Sequence, residues 1–219
     1  LIKTPYGLVR NTDGSLCTTY RDDDIPFQGV RSFAVETATE NLVPSNVASF
    51  TDLNWQSMYV LSREIVEGGG YRGRNAVKII KDDRQTSFQI FSDEIRNNIL
   101  NNIQVGDRIS YQIKYKVLDP GAGTFLCNFL TWGFGSVYPK TTVDIGDGWV
   151  LQYGTSTEQW AEDSEITGPC GIASLPANSI ILFSDFQVEI KNFHTSFVDG
   201  SRPNGKIVFE DMQEIEYDN

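Results

Sequence analysis

Between residues 109 and 117 the apolar side chains Ile109, Tyr111, Ile113, Tyr115 and Val117 alternate with Ser110, Gln112, Lys114 and Lys116. A period of two puts the two sets on opposite faces of a β-strand, so the segment predicts one buried face and one facing solvent or a ligand. Seven further segments, 57–63, 75–80, 86–91, 124–131, 149–153, 180–190 and 206–209, are rich in β-branched or aromatic residues and bounded by Gly, Pro, Asn or Asp. Strands at this spacing predict an all-β chain, an antiparallel two-sheet β-sandwich rather than a parallel α/β sheet. One stretch breaks the rhythm: Ile95, Ile99 and Ile103 recur every four residues behind Ser92 and Asp93, both residue types that cap helix N-termini. It predicts a short helix over one end of the sandwich, against the poor helix propensity of its Asn residues.

At 219 residues the chain can bury a sizeable core, as one all-β domain or as a domain with arms. The formal net charge of -11 disfavours a nucleic-acid surface, where affinity comes mainly from Lys and Arg meeting phosphates. Cys17, Cys127 and Cys170 are odd in number and far apart, which predicts free thiols and a reducing site of assembly, with a single disulfide pair as the alternative. No apolar run reaches the length of a membrane span, so no membrane insertion is expected. Leu1 is not a start Met, which suggests an excised or processed part of a longer chain.

Few motifs carry chemistry. Gly68, Gly70 and Gly73 satisfy G-x-G-x-x-G, but a dinucleotide site needs a helix directly afterwards, and the following Asn75–Ile80 stretch reads as a strand. His194 is the single histidine, so a Ser-His-Asp triad would depend on it alone, and its setting favours a structural role. Glu158, Glu162, Asp163 and Glu165, or Asp144 and Asp147, could in principle supply two acids for glycoside hydrolysis. They sit in loop-like sequence with no paired-acid strand pattern, which favours a solvated acidic face. Asp22, Asp23 and Asp24 lack the spacing of an EF-hand loop. Aromatic residues make up 12% of the chain, and flat rings stack on sugar C–H faces while polar side chains fix the hydroxyls. Trp149, just before a strand, reads as packing; Tyr71, Trp132, Tyr138 and Trp160 are the ligand-binding candidates.

Two segments resemble bacteriophage virion proteins. The first is FQVEIKNFHTSFVDGSRPNG, residues 186–205, in which Gln187, Glu189, Thr195, Ser196, Phe197, Val198, Asp199, Gly200 and Arg202 fit a closing pattern QLE-x5-TSFVDG-T-R. The second is the lead-in, where Gly29, Glu36, Thr39, Asn41 and Leu42 match, while Arg31 and Ser32 depart from it and an Arg-Phe pair is missing. The resemblance covers roughly residues 9–55 and 180–205. It implies a tail- or fibre-type virion protein with a jelly-roll, carbohydrate-binding-module-like domain: an arm over 1–40, a sandwich over 41–192 and a closing segment over 193–219. It also implies a structural Ca2+ between first and last strands, to which Glu36, Glu210 or Asp211 would contribute, and a location in the virion after assembly in the host cytoplasm. Partners would be host cell-surface polysaccharide, other virion proteins and further copies of the chain as a homo-oligomer. The expected function is non-catalytic glycan binding; the alternatives are a purely structural assembly module and, behind it, a polysaccharide depolymerase.

Overall fold

The computed structural model describes residues 8–11, 26–27, 30–31, 38–84, 88–121, 126–131, 134, 140–168, 170–175, 177–195, 197–202, 205–208 and 214–216. In chain order the elements are β1 (Leu8–Asn11), β2 (Pro26–Phe27), β3 (Val30–Arg31), β4 (Thr39–Glu40), α1 (Ser45–Ala48), β5 (Gln56–Met58), β6 (Val60–Val66), β7 (Ala76–Lys81), β8 (Phe88–Ser92) and α2 (Asp93–Asn102). There follow β9 (Ile109–Asp119), β10 (Leu126–Leu130), β11 (Lys140–Asp144), β12 (Trp149–Thr155), β13 (Cys170–Leu175), β14 (Ile180–Ile190), β15 (Ser201–Arg202), β16 (Gly205–Val208) and β17 (Glu214–Glu216). The chain divides into two compact units, Asn41–His194 and Leu1–Glu40 with Thr195–Asn219.

The larger unit is an antiparallel sandwich of jelly-roll type. One sheet has six strands in the order β11-β12-β9-β14-β7-β6, the other four in the order β10-β13-β8-β5. The shared core is aromatic and β-branched: Tyr111 on β9 stacks on Phe129 of β10 at 5.1 Å, and Phe129 meets Phe186 of β14 edge-on at 6.0 Å. Ile79, Ile90, Ile113, Ile172, Ile181 and Phe183 are buried around them. Gln152, the one amide in this layer's β12, donates to the Tyr111 hydroxyl at 3.0 Å, so its burial leaves the pair satisfied.

The helix forms where the isoleucine spacing predicts it. Ser92 caps α2 by accepting the Glu94 N–H at 3.1 Å, Asp93 and Glu94 occupy the positive first turn, and Ile95 and Ile99 are buried. The segment 57–63, expected as one strand, is two. Tyr59 has φ 60, a left-handed backbone that breaks the extended chain and sends β5 to one sheet and β6 to the other. Within the sandwich two strands are additional to the expected set. β11, sequence KTTVD, is exposed at all five positions and so shows no apolar alternation. β13, sequence CGIASL, mixes small residues with Ile172 and Leu175, and at Gly171 its backbone lies close to β8: a Cβ there would fall 1.9 Å from the Ile90 carbonyl oxygen.

Of the two alternatives expected for the polar face of β9, facing solvent or facing a ligand, the first is corrected. Ser110, Gln112 and Lys114 are buried, as are Ile109, Tyr111 and Ile113 opposite them. β9 is an inner strand, and its second face is covered too: Phe193 accepts a hydrogen bond from Ser110 at 3.0 Å, and the Tyr71 ring lies over Lys114.

In the smaller unit the C-terminal segment returns to the N-terminal arm. β1 pairs antiparallel with β16, β16 with β17, and β4 with β15, while β2 and β3 form a short hairpin pair.

Candidate functional site

The face of the six-stranded sheet turned away from the sandwich core holds the most concentrated chemistry among the described residues. Its origin is a bulge in β14. Ser184 pairs with Lys114 and Gln187 with Gln112, so two residues, Asp185 and Phe186, stand where β9 supplies only Ile113. Asp185 adopts φ 53, a conformation that Asp accepts more readily than branched residues. The extra residue lets Phe186 point into the core while the neighbouring Asp185 carboxylate turns to the other face and meets Lys114.

Asn41 holds that bulge from outside. Its side chain donates to the Phe186 carbonyl at 3.0 Å and accepts the Val188 and Val43 N–H groups, each at 3.1 Å. Leu42 N–H donates to the Val188 carbonyl at 2.8 Å. β7 stops pairing with β14 at Phe183, so Asn41 and Leu42 meet backbone groups that would otherwise be orphaned.

Around Asp185 the groups converge. Lys114 Nζ donates to Oδ2 at 2.9 Å with both side chains 1% exposed, and Arg74 Nη1 lies 3.3 Å from Oδ1 with 36% of its side chain exposed. Ser184 Oγ bonds the Asn75 carbonyl at 3.1 Å and lies 3.3 Å from Asp185 Oδ1. Above them Lys114 Nζ sits 4.5 Å from the Tyr71 ring centroid, and Tyr71 meets Trp149 edge-on at 6.2 Å. Tyr71 and Trp149 form a small apolar cluster with Ala76 and Leu182, flanked by Val66 and Ile145. Exposed Arg72 lies 5.4 Å from the outer Tyr71 ring centroid. The glycine-rich loop makes this approach possible, since a Cβ on Gly70 would fall 2.7 Å from Ser184 Oγ and 2.4 Å from the Asn75 carbonyl. After Gly73 the chain enters β7, so no helix N-terminus follows the G-x-G-x-x-G run.

At the other end of β9 the segment 191–194 crosses the same face. The His194 ring stacks on Tyr153 at 3.8 Å, a packing role for the single histidine. Near this end Trp160 N–H donates to the Asp107 carbonyl at 2.7 Å, and the Trp160 carbonyl accepts from Gly106 at 2.8 Å. The Trp160 ring is half-buried, edge-on to Phe134 at 5.0 Å.

The ligand candidates read from sequence therefore separate. Tyr71 is 8% exposed beside Trp149, Trp160 is half-buried by the far end of β9, and Trp132 and Tyr138 lie outside the described residues. Glu36, Glu210 and Asp211, nominated for Ca2+, also lie outside them, as do Cys17 and Asp22, Asp23 and Asp24. Trp149 is buried at 6%, in keeping with a packing role. Asp144, Asp147, Glu158, Glu162, Asp163 and Glu165 are all exposed, a solvated acidic surface rather than a pair facing across a cleft. Among the described residues no group of three His, Cys, Asp or Glu side chains is placed to hold a metal ion. Sequence reasoning missed Arg74, Lys114 and Asp185; the signal was Asp185 itself, a charge inside the apolar run of β14.

No family model matches the sequence, and no curated protein matches it. Similar solved structures include the CBM22-1 xylan-binding domain of Paenibacillus barcinonensis Xyn10C, at 8% identity and a TM-score of 0.41, over 70% of this chain and 93% of that one. They also include the Clostridium thermocellum xylanase 10B CBM22-1-GH10 modules complexed with xylohexaose, at 12% identity and a TM-score of 0.40, over 69% of this chain and 28% of that one. Likenesses this loose assign neither a family nor a ligand to the chain.

Proposed function

We propose that the chain is a non-catalytic carbohydrate-binding module that holds a host-surface polysaccharide, and that it works within the tail or fibre of a phage particle. The observation that carries the reading is the placement of the Tyr71–Trp149 ring pair beside the Lys114–Asp185–Arg74 charge centre on one sheet face. Sugar recognition uses flat rings against C–H faces and fixed polar groups against hydroxyls. Here Tyr71 and Trp149 are packed at 8% and 6% exposure beside the centre, and one turn and three strands bring them to the charged groups a sugar would meet. Arg74 is the part of the centre that reaches solvent, and Arg72 covers the ring it would share with a ligand. Trp132, Tyr138 and Trp160, the other aromatic candidates of the sequence, are proposed as further ring contacts to the sugar. Asp147, Glu158, Glu162, Asp163 and Glu165 lie exposed on turns and loops and Asp144 at the exposed end of β11, which supports binding over hydrolysis. The phage setting rests on the two flanking segments that resemble virion proteins, and so does a structural Ca2+ on Glu36, Glu210 and Asp211, which a melting temperature unaffected by EDTA would rule out.

A glycan array with Arg74→Ala as control tests the binding reading: specific retention lost in the variant supports it, and retention of nothing overturns it. A second reading, a structural module of the virion, is favoured by burial of Trp149 and Tyr71 and by the arm ladders β1–β16 and β4–β15. It predicts an array without hits and co-assembly with other virion proteins.

A further inference from the structure

The six-stranded sheet ends on β11, and among the described residues no strand lies beyond it. All five residues of β11 are exposed, and the strand contains no Pro, Gly or bulge. The hairpin to β12 fixes which backbone groups are in use. Ile145 N–H donates to the Trp149 carbonyl at 3.0 Å, so the alternation of an antiparallel ladder makes Val143–Leu151 and Thr141–Tyr153 the bonded pairs. The N–H and C=O groups of Lys140, Thr142 and Asp144 consequently point away from β12. This is the kind of open edge that proteins usually guard, and here the charges at its two ends have opposite signs.

We infer that β11 pairs antiparallel with β11 of a second copy of this chain, about a two-fold axis through Thr142. In that register Thr142 stands opposite the partner's Thr142, Lys140 opposite the partner's Asp144, and Thr141 opposite the partner's Val143. Parity, charge and symmetry agree. The residues with outward backbone groups are 140, 142 and 144, and this register sets them against one another, so every outward N–H meets an outward C=O. The same register places a lysine against an aspartate twice, on the same side of the sheet, with directly opposed Cβ atoms about 5 Å apart. A slip of one residue sets outward groups against inward ones. A slip of two leaves a Lys140–Asp144 match unmade.

Both charged side chains keep capacity for the contact. Lys140 Nζ donates to Asn128 Oδ1 at 2.6 Å and to the Cys127 carbonyl at 3.0 Å, which leaves one of the three ammonium donors. Asp144 Oδ1 accepts the Gly146 N–H at 2.8 Å, which leaves Oδ2. The product is an isologous dimer in which the six-stranded sheets of two copies run on as one, and it stands whether or not the module binds glycan.

Sedimentation equilibrium of the 219-residue chain tests this. The expected result is a concentration-dependent mass that rises to twice 24.6 kDa and no further. Thr142→Pro removes an N–H that makes no ladder bond to β12, so it should give a monomer with an unchanged far-ultraviolet spectrum. Lys140→Glu, which sets Glu against Asp, should weaken the dimer at least tenfold, and the Lys140→Glu/Asp144→Lys exchange should restore it. A chain monomeric at every concentration, a closed trimer, or an exchange variant no better than Lys140→Glu overturns the inference.

Discussion

Lys114 and Asp185 lie 2.9 Å apart across neighbouring strands, each with 1% of its side chain exposed, and the bulge at Asp185 is what brings them together. Removing one partner strands a buried charge, whereas removing both does not. Asp185→Asn keeps a residue that tolerates the left-handed backbone but leaves Lys114 without its counter-ion, and should cost about 3–5 kcal/mol in urea unfolding. Lys114→Met combined with Asp185→Asn should recover most of that loss. Equal losses in the single and double variants would show that the bulge, not the charge pair, carries the stability.

The two tryptophans flanking β9 should behave differently. Trp149→Ala opens a cavity beside Tyr71 and should cost about 3–5 kcal/mol of stability. Trp160→Ala should cost less, because its ring is half-buried against a single aromatic neighbour among the described residues. If Trp160 stacks on sugar at about 1 kcal/mol, glycan retention should fall several-fold to tenfold in that variant. Thermal melts alongside retention assays separate the two roles.

Stability should decline on the alkaline side. Burial pushes the Cys127 and Cys170 thiols up to about 12 from 9.0, and the Tyr115 phenol up to about 12 from 10.0; burial raises Tyr111 further. The folded chain therefore keeps protons that the unfolded chain releases, so the unfolding free energy is fully present below about pH 9 and falls as pH rises toward about 12. Urea midpoints at pH 7, 9 and 10.5 check this. Ellman's reagent should find both thiols unreactive until the chain unfolds.

Gly171→Ala should break the four-stranded sheet locally, because the new methyl would overlap the Ile90 carbonyl and neither backbone can retreat within its ladder. A loss of about 1–3 kcal/mol or more is expected. A variant as stable as the parent would show that β8 and β13 lie further apart than described.

These residues also show what could be read in advance. β9, β14 and α2 were legible because burial wrote its period into the sequence: alternation at Ile109 to Val117, and isoleucines every four residues behind Ser92. Ser110, Gln112 and Lys114 misled for the same reason, since a polar side chain signals water unless something else satisfies it, and Phe193 and Asp185 come from more than 70 residues away. β11 left no apolar trace, being exposed, and in β13 the small residues Gly171, Ala173 and Ser174 thin out the pattern around Ile172. The charge centre was half-visible, in Asp185; its bulge depends on register between two strands, which no local pattern records. Tyr71 was singled out as a ligand residue; in the structure its ring is buried between Lys114 and Arg72 beside Trp149, which no local pattern records.

A glycan array probed with the intact chain, run beside a reducing-end assay on each polysaccharide it retains, tests the carbohydrate-binding reading most directly. Selective retention without any release of reducing ends, lost in Arg74→Ala while the melting temperature holds, is the expected result. Retention of no glycan would contradict glycan binding, and sugar release abolished by mutating Glu158, Glu162 or Glu165 would make the protein a depolymerase instead.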